Sequence, residues 1–360
     1  MKRRLDPDSL RALARGCAVL GAGGGGDPYL GLLQALQATE DFGPVALVDI
    51  DELPGESLIM PCGGIGAPTV SIEKIENGDE GGRLREHLEF VTGRRVTALM
   101  AAEIGGSNGL LPVAWAARMG LPLVDADGMG RAFPEVPQVT MHLAGISPSP
   151  AVMTDERGNL IVFQAISGHW IERLERAAAV EFGGAASSTE FSLTAAQART
   201  ATVRGSVSMA IRIGQAVTCA EGSPVAALIA EIGAFRLIGG KISDVERHTT
   251  KGFVRGSVVV EGLGNDSGRL LRLELQNENL VALERGRVLA SVPDLISVLD
   301  SETADAIVTE RIAYGQRVTV IAFPCDPVWR TARGIEIAGP RAFGYEFDYL
   351  PVEELASARA

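Results

Sequence analysis

Five glycines fall within six positions at Gly21-Ala22-Gly23-Gly24-Gly25-Gly26, and Asp27-Pro28 follows at once. Glycine adds no side chain to a core, so this run serves backbone freedom at positive φ and the close approach of another group. Asp27 is suited to cap free N–H groups and Pro28 to open a helix. The pattern predicts a helix over 28–39 whose amino end, with its free N–H groups and positive dipole, points back at the glycines. That arrangement suits a bound anion or a polar substrate group, with Gly23, Gly24, Gly25, Gly26 and Asp27 as the candidate binding residues.

The letters Gly21-x-Gly23-x-x-Gly26 match the dinucleotide fingerprint, but that fingerprint requires a strand before the glycines. The preceding residues 8–20 read as a helix, with Leu10, Leu13, Ala14, Cys17 and Leu20 at helical spacing. No Gly-Lys-Ser/Thr follows, so a Walker-type loop is absent too. No nucleotide cofactor is expected. A tight interhelical turn and a substrate-facing loop both remain open.

A chain of 360 residues is long enough for two domains or more. The net charge of −12 argues against a nucleic-acid partner. No apolar run spans a bilayer and none follows the charged start, so the expectation is a cytoplasmic protein with no membrane partner. Cys17, Cys62, Cys219 and Cys325 are scattered without a C-x-x-C pair, which fits reduced thiols and offers no thiolate metal cage.

Short apolar runs at 45–50, 58–60, 96–102 and 121–124 read as strands, and 83–91 and 108–119 as helices. Their alternation predicts an amino-terminal three-layer α/β portion with a largely parallel or mixed sheet. Residues 136–146 and 151–164 read as further strands. Residues 166–240 are alanine-rich and helical in pattern, with helices expected at 169–180, 194–199, 205–219 and 224–231. Beyond 235, short β-branched runs predict a β-rich carboxyl-terminal domain. The expected division is 1–165, 166–240 continuing the first part, and 241–360.

In a parallel sheet, ligands gather at the carboxyl ends of strands. Pro61-Cys62-Gly63-Gly64, Glu103-Ile104-Gly105-Gly106-Ser107-Asn108 and Asp125-Ala126-Asp127-Gly128 fall at such ends. Asp125 and Asp127 stand two apart on a strand and face one side. They read either as a site for a divalent metal, zinc first, or as an acidic loop neutralised by Arg131. His142, placed on a following strand, is the partner for Asp127 as metal ligand. Glu103 is the candidate general base. Asn108 is either a helix cap or a substrate contact. Cys62 lacks a nearby base and is a weak nucleophile candidate. Glu278, in Gln276-Asn277-Glu278-Asn279, reads as a cleft residue or a turn, and Arg341 as a surface residue or a carboxylate clamp across the domains.

The ordered set of motifs resembles a known family. It comprises the Gly21–Pro28 loop, Glu103–Asn108, Leu121–Glu135, Thr249–Gly256, Gln276–Leu280, Pro293–Ile296 and Gly339–Tyr345. The chain is similar over nearly its whole length to the proteins catalogued as DUF917 and named after S-methyl thiohydantoin desulfurase. The resemblance implies an α/β portion followed by a β-rich one, and hydrolytic release of a thiol from an S-methylated five-membered ring, with metal dependence expected. It also implies company with hydantoinase- and oxoprolinase-type proteins. A hydantoin or lactam C–N hydrolase and a non-catalytic accessory subunit are the competing functions, and self-association is compatible with the composition. On the leading reading a metal-activated water attacks the ring, Glu103 moves the proton, Asp125 assists, and Arg341 grips a substrate carboxylate.

Overall fold

The computed structural model describes residues 3–67, 70, 73–250 and 253–358. Met1, Lys2 and the Lys251-Gly252 pair of the Thr249–Gly256 motif lie outside the described residues. The first sheet contains β1 (Arg3–Leu5), β2 (Val45–Val48), β3 (Leu58–Gly66), β4 (Val96–Ala101), β5 (Leu123–Asp127), β6 (Ala151–Thr154), β7 (Leu160–Phe163), β8 (Ala185–Thr189), β9 (Leu193–Thr194) and β10 (Val203–Arg204). Its order is β1-β2-β5-β4-β3-β8-β6-β7, with β9 on β3 and β10 on β5. The strands β2, β5, β4 and β3 run parallel, and β8, β6 and β7 continue antiparallel. The parallel strands are apolar on successive residues because both faces are covered. This is the expected mixed α/β sheet.

The strand β3 changes neighbours partway along. Leu58 to Cys62 pair with β4, whereas Gly63 to Gly66 pair with β8. After Ala101 the chain of β4 turns away, and the crevice so formed receives Glu103 and Asn108. Residues 136–146, read as a strand, instead carry a short helix, Thr140–Leu143. Val136, Val139 and Leu143 are spaced three and four apart, which is helical, and Thr140 N donates to Gly128 O at 2.7 Å.

Two helices begin with Asp-Pro. Asp6 caps Pro7–Leu20 by accepting from Ser9 N, and Asp27 caps Pro28–Phe42 by accepting from Tyr29 N. The first packs backbone to backbone on Ser206–Thr218. A Cβ at Gly16 would lie 1.9 Å from Ala210 O, and one at Gly214 would lie 1.9 Å from Ala12 O. The helices meet at this distance only because both positions lack side chains.

The second sheet is antiparallel: β11 (Phe235–Thr250), β12 (Phe253–Gly262), β13 (Leu270–Gln276), β14 (Glu278–Glu284), β15 (Arg287–Ser291), β16 (Leu295–Asp300) and β17 (Arg317–Phe323), in the order β15-β14-β13-β12-β11-β17-β16. Residues 235–250 are therefore one long strand. Period-two alternation divides β16 and β17 between two cores. Ile296, Val298, Val318, Val320 and Ala322 belong to the interior of the curled sheet, while Leu295, Leu299, Ile321 and Phe323 complete the core of the α/β part. Ser297 Oγ, on that second face, donates to Val19 O at 2.8 Å. The two parts thus share a continuous packed boundary.

Candidate active site

A cavity of about 420 Å³ lies where the parts meet. Gly25, Gly26 and Asp27 form one side, Gly63 to Gly66 of β3 and Ala185 to Ser188 of β8 another, and Glu103, Ser107 and Asn108 a third. Asn277 and Glu278 reach the same space from the β-rich part. Two of the three strand-end motifs converge here as expected, joined by Met129 from just beyond the third.

Glu103 is 7 % exposed. Asn108 Nδ2 donates to its Oε1 at 2.5 Å, and Phe133 N donates to its Oε2 at 3.3 Å. Asn108 is itself held by Gly64, whose N donates to Oδ1 at 2.7 Å and whose carbonyl accepts from Nδ2 at 3.2 Å. Asn108 therefore positions Glu103, and does so just before the helix Leu111–Met119 rather than capping it. Burial outweighs the Asn108 and Phe133 hydrogen bonds and pushes the Glu103 carboxyl up to about 8.

Glu278 lies against the glycine run. A Cβ at Gly24 would stand 2.1 Å from Glu278 Oε1, so the absence of a side chain at 24 is what admits this carboxyl. Its Oε2 is buried without a hydrogen-bond partner. Burial and the neighbouring Glu103 charge raise Glu278 well above the ordinary carboxylate range, while Arg131 opposes both. The loop is locked from the same domain: Asn279 N and Nδ2 donate to Ala22 O at 2.8 and 2.9 Å, and Thr309 N donates to Gly23 O at 2.9 Å. On its other flank Ser107 N donates to Gly26 O at 3.1 Å. The glycine run is thus a docking seam between the parts as well as a cavity wall, and its helix is capped by its own Asp27, which also pairs with Arg311.

Arg131 is fully buried and stacks 4.3 Å from the Phe133 ring centroid. Its Nη1 donates to Pro293 O at 2.5 Å and Asp294 O at 3.0 Å, and Nη2 has no hydrogen-bond partner. It faces Glu278 and Glu103 rather than acting as ion-pair partner of the Asp-x-Asp loop: Glu278 is the strongest charge raising its pKa, against burial, which lowers it to about 10.

Asp125 and Asp127 turn to the helix Ser206–Thr218. Asp125 accepts from Ser208 N at 2.9 Å and from its hydroxyl. Asp127 Oδ2 accepts from Ile104 N, Met129 N and Gly130 N at 2.9, 3.0 and 2.7 Å. Burial still holds the Asp127 carboxyl up at about 7. His142 sits on the short helix with its ring 5.9 Å from His169 and 6.2 Å from Phe191. Neither Asp125, Asp127 nor His142 is among the residues lining the cavity. Among the described residues no group of three or more His, Cys, Asp or Glu side chains could hold a metal ion. Asp127, its Oδ2 already engaged three times by backbone, does not join His142 in such a set. Arg341 is exposed and donates to Asp348 Oδ1 at 2.9 Å, outside the cavity. Cys62 is buried and its thiol pushed up by desolvation, which disfavours a nucleophile.

One cavity residue carries no sequence signal. Glu190 follows a run of Ser and Thr, is 7 % exposed, and meets Glu175 from the helix Gly168–Glu181. Its position emerges only because β8 lies beside β3.

The chain matches the S-Me-THD-like N-terminal domain over residues 8–165 and the S-Me-THD-like C-terminal domain over residues 166–352. No curated protein matches it. A crystal structure of a protein from Chromobacterium violaceum superposes with a TM-score of 0.81 at 24% identity, covering 97% of this chain and 100% of that one, a likeness of fold. No helix among the described residues is long and apolar enough to cross a membrane. With adjoining matches to both halves of the family from residue 8 to residue 352, the chain belongs to the S-methyl thiohydantoin desulfurase-like family.

Proposed function

We propose that the protein is a hydrolase that releases a thiol from an S-methylated, hydantoin-like five-membered ring, using Glu103 and Glu278 as a proton-transfer pair. The observation that carries this reading is the meeting of these two buried carboxyls, one from each part of the chain, on a single cavity. Membership of the S-methyl thiohydantoin desulfurase-like family supports this choice of substrate class.

The roles follow from the environments. Burial raises both carboxyls, and the Glu103 charge raises Glu278 further, so Glu103 is the one placed to give up its proton and Glu278 the one placed to hold it. Glu103 is then the base and Glu278 the acid. Water loses a proton to Glu103 as its oxygen bonds to the ring carbon flanked by nitrogen and sulfur, and Glu278 protonates the ring nitrogen. In the second step Glu278 takes back the hydroxyl proton as the carbonyl forms. The C–S bond breaks and Glu103 returns its proton to the departing sulfur. Both residues end as they began. Asn108 fixes the Glu103 oxygen, and the backbone of Gly25 and Gly26 is the surface offered to the ring carbonyl.

The test is a panel of S-methyl thiohydantoins and plain hydantoins, scored for free thiol and for ring opening with the purified protein. Thiol release that is lost in Glu103→Gln and Glu278→Gln supports the proposal. Ring opening without thiol release would replace it with a C–N hydrolase, and inactivity relieved only by a co-purifying partner would replace it with an accessory subunit.

A further inference from the structure

The helix Gly168–Glu181 turns Ile171, Glu175, Ala178 and Ala179 inward, at the three- and four-residue spacing of an amphipathic helix. The opposite face of such a helix is ordinarily polar. Here it is not. Trp170 is 43 % exposed, Leu174 39 % and Val180 62 %, with Ala177 exposed among them. Large apolar groups gathered on one exposed face mark an interaction surface, whereas singly scattered ones do not. Arg173 lies over the Trp170 ring, 4.6 Å from its centroid, and Trp and Arg are residues that interface centres favour.

The charges on this face point to what covers it. Arg173, Ala177 and Glu181 are four apart and form one ridge along the helix, with Trp170 and Leu174 on one side of it and Val180 on the other. Arg173 and Glu181 stand equally far from Ala177 and carry opposite charges. Arg176 pairs with Glu172 along the same helix, but neither Arg173 nor Glu181 has an ion-pair partner among the described residues. A second copy of the helix, laid antiparallel over this ridge with a two-fold axis at Ala177, sets Arg173 of each copy opposite Glu181 of the other. The pairing then occurs twice, as an isologous contact requires. A parallel arrangement would instead oppose like charges. The small side chain at the axis lets the helices approach, and the packing of such ridges is the commonest class of helix crossing.

We propose that the exposed face of Gly168–Glu181 is a self-association surface, which docks on the same face of a second copy of this chain, antiparallel across a two-fold axis at Ala177. Trp170, Leu174 and Val180 supply the apolar centre, and the two Arg173–Glu181 pairs set the direction. A single helix pair is smaller than a standard interface of about 1,600 Å², so the dimer forms in the micromolar range rather than the nanomolar one. The inference is independent of the proposed ring chemistry.

The test is sedimentation velocity of the purified whole chain at concentrations from about 1 to 200 µM. The expected result is a sedimentation coefficient that rises with concentration as a monomer–dimer equilibrium. Arg173→Glu and Glu181→Arg each weaken the dimer at least about tenfold, because each opposes like charges at both ends of the contact. The two exchanges together return the dissociation constant to within about threefold of the parent. Ala177→Glu, which sets two carboxylates against each other at the axis, abolishes the dimer. Thermal unfolding of each variant shows that it is folded, and the charge exchanges alone decide the matter if Ala177→Glu melts early. A chain that stays monomeric at every concentration overturns the proposal and leaves the face to a different protein. A dimer that a folded Ala177→Glu variant keeps overturns it too, because the copies then meet elsewhere. Failure of the double exchange to restore the dimer overturns the antiparallel pairing.

Discussion

Glu278 rests on the backbone of Gly24, where a Cβ would stand 2.1 Å from its Oε1. The glycine run and the β-rich part are therefore fitted to each other at the atom that the proposed chemistry uses. Gly24→Ala must displace the carboxyl, because the chain on the other side of the run is held by Asn279 and Thr309. The expected outcome is a loss of about 1–3 kcal/mol in stability, the usual range for overpacking, with thiol release falling at least about tenfold. In a double-mutant cycle with Glu278→Gln the two effects fall well short of adding. Additive losses in kcat/KM would separate the loop from Glu278.

The assignment of base and acid predicts a direction of pH dependence. A base that ionises at about 8 leaves the enzyme mostly protonated and slow at pH 6. The rate constant kcat/KM then rises about tenfold per pH unit up to that point and falls again only where Glu278 gives up its proton. A profile of thiol release from pH 6 to 10 checks this. If the rate instead declines through pH 8, Glu103 is the acid and the two roles exchange.

Asn108 offers a readout of positioning distinct from packing. Its amide hydrogen bond lowers the Glu103 pKa against the effect of burial. Asn108→Ala removes that donor and leaves the Gly64 backbone N unpartnered by the side chain. The acid limb of the activity profile therefore moves to higher pH, and stability falls by about 1–3 kcal/mol. A drop in activity with an unmoved limb would mean that Asn108 supports only the fold.

Much of this architecture was legible because it is local or periodic. The Asp27-Pro28 helix start, the apolar parallel strands and the β-branched runs beyond 235 each carry their own physics in neighbouring residues. Glu103 and Asn108 were legible as strand-end residues. What the periodicities do not encode is which way a carboxylate turns. Asp125 is bonded by Ser208 at the amino end of Ser206–Thr218, some 80 residues on, and Asp127 by the backbone N–H groups of Ile104, Met129 and Gly130, so neither is left to the cavity. His142 was misplaced because 136–146 is too short for strand and helix patterns to separate. Glu190 was invisible because β8, Ala-Ala-Ser-Ser-Thr, has no apolar signature, and only its pairing with β3 brings it to the cavity.

The contact between Gly16 and Gly214 neighbourhoods tests the scaffold beneath the site. Gly214→Ala places a methyl group 1.9 Å from Ala12 O, and the backbone of Pro7–Leu20 must move to admit it. That helix leads directly into the glycine run, so a stability loss of about 1–3 kcal/mol is expected. It should come with weakened thiol release, despite the absence of any side-chain contact with the cavity. Thermal unfolding with kcat/KM on the same preparation measures both, and unchanged values would show that the two helices are free to separate.

Glu175 gives the last prediction, in stability rather than rate. Burial and the charge of Glu190 raise its carboxyl well above the ordinary range of an exposed glutamate. A carboxyl raised in the folded state favours folding fully only below its unfolded value, near 4.5, and that contribution is lost as pH rises toward the folded value. Glu175→Gln keeps the side chain's shape and does not titrate. The variant is therefore expected to melt about 2–4 °C above the parent at pH 8, and within about 1 °C of it at pH 4.5. Glu190→Gln should show the same sign, because burial, with the Glu172 charge, raises Glu190 against the Ser188 and Glu175 hydrogen bonds that lower it. Melting curves across that pH range decide it. A parent protein whose margin over the variants grows with pH would mean that the pair is ionised and compensated by a cation, and that the acidic wall is neutralised in the folded chain itself.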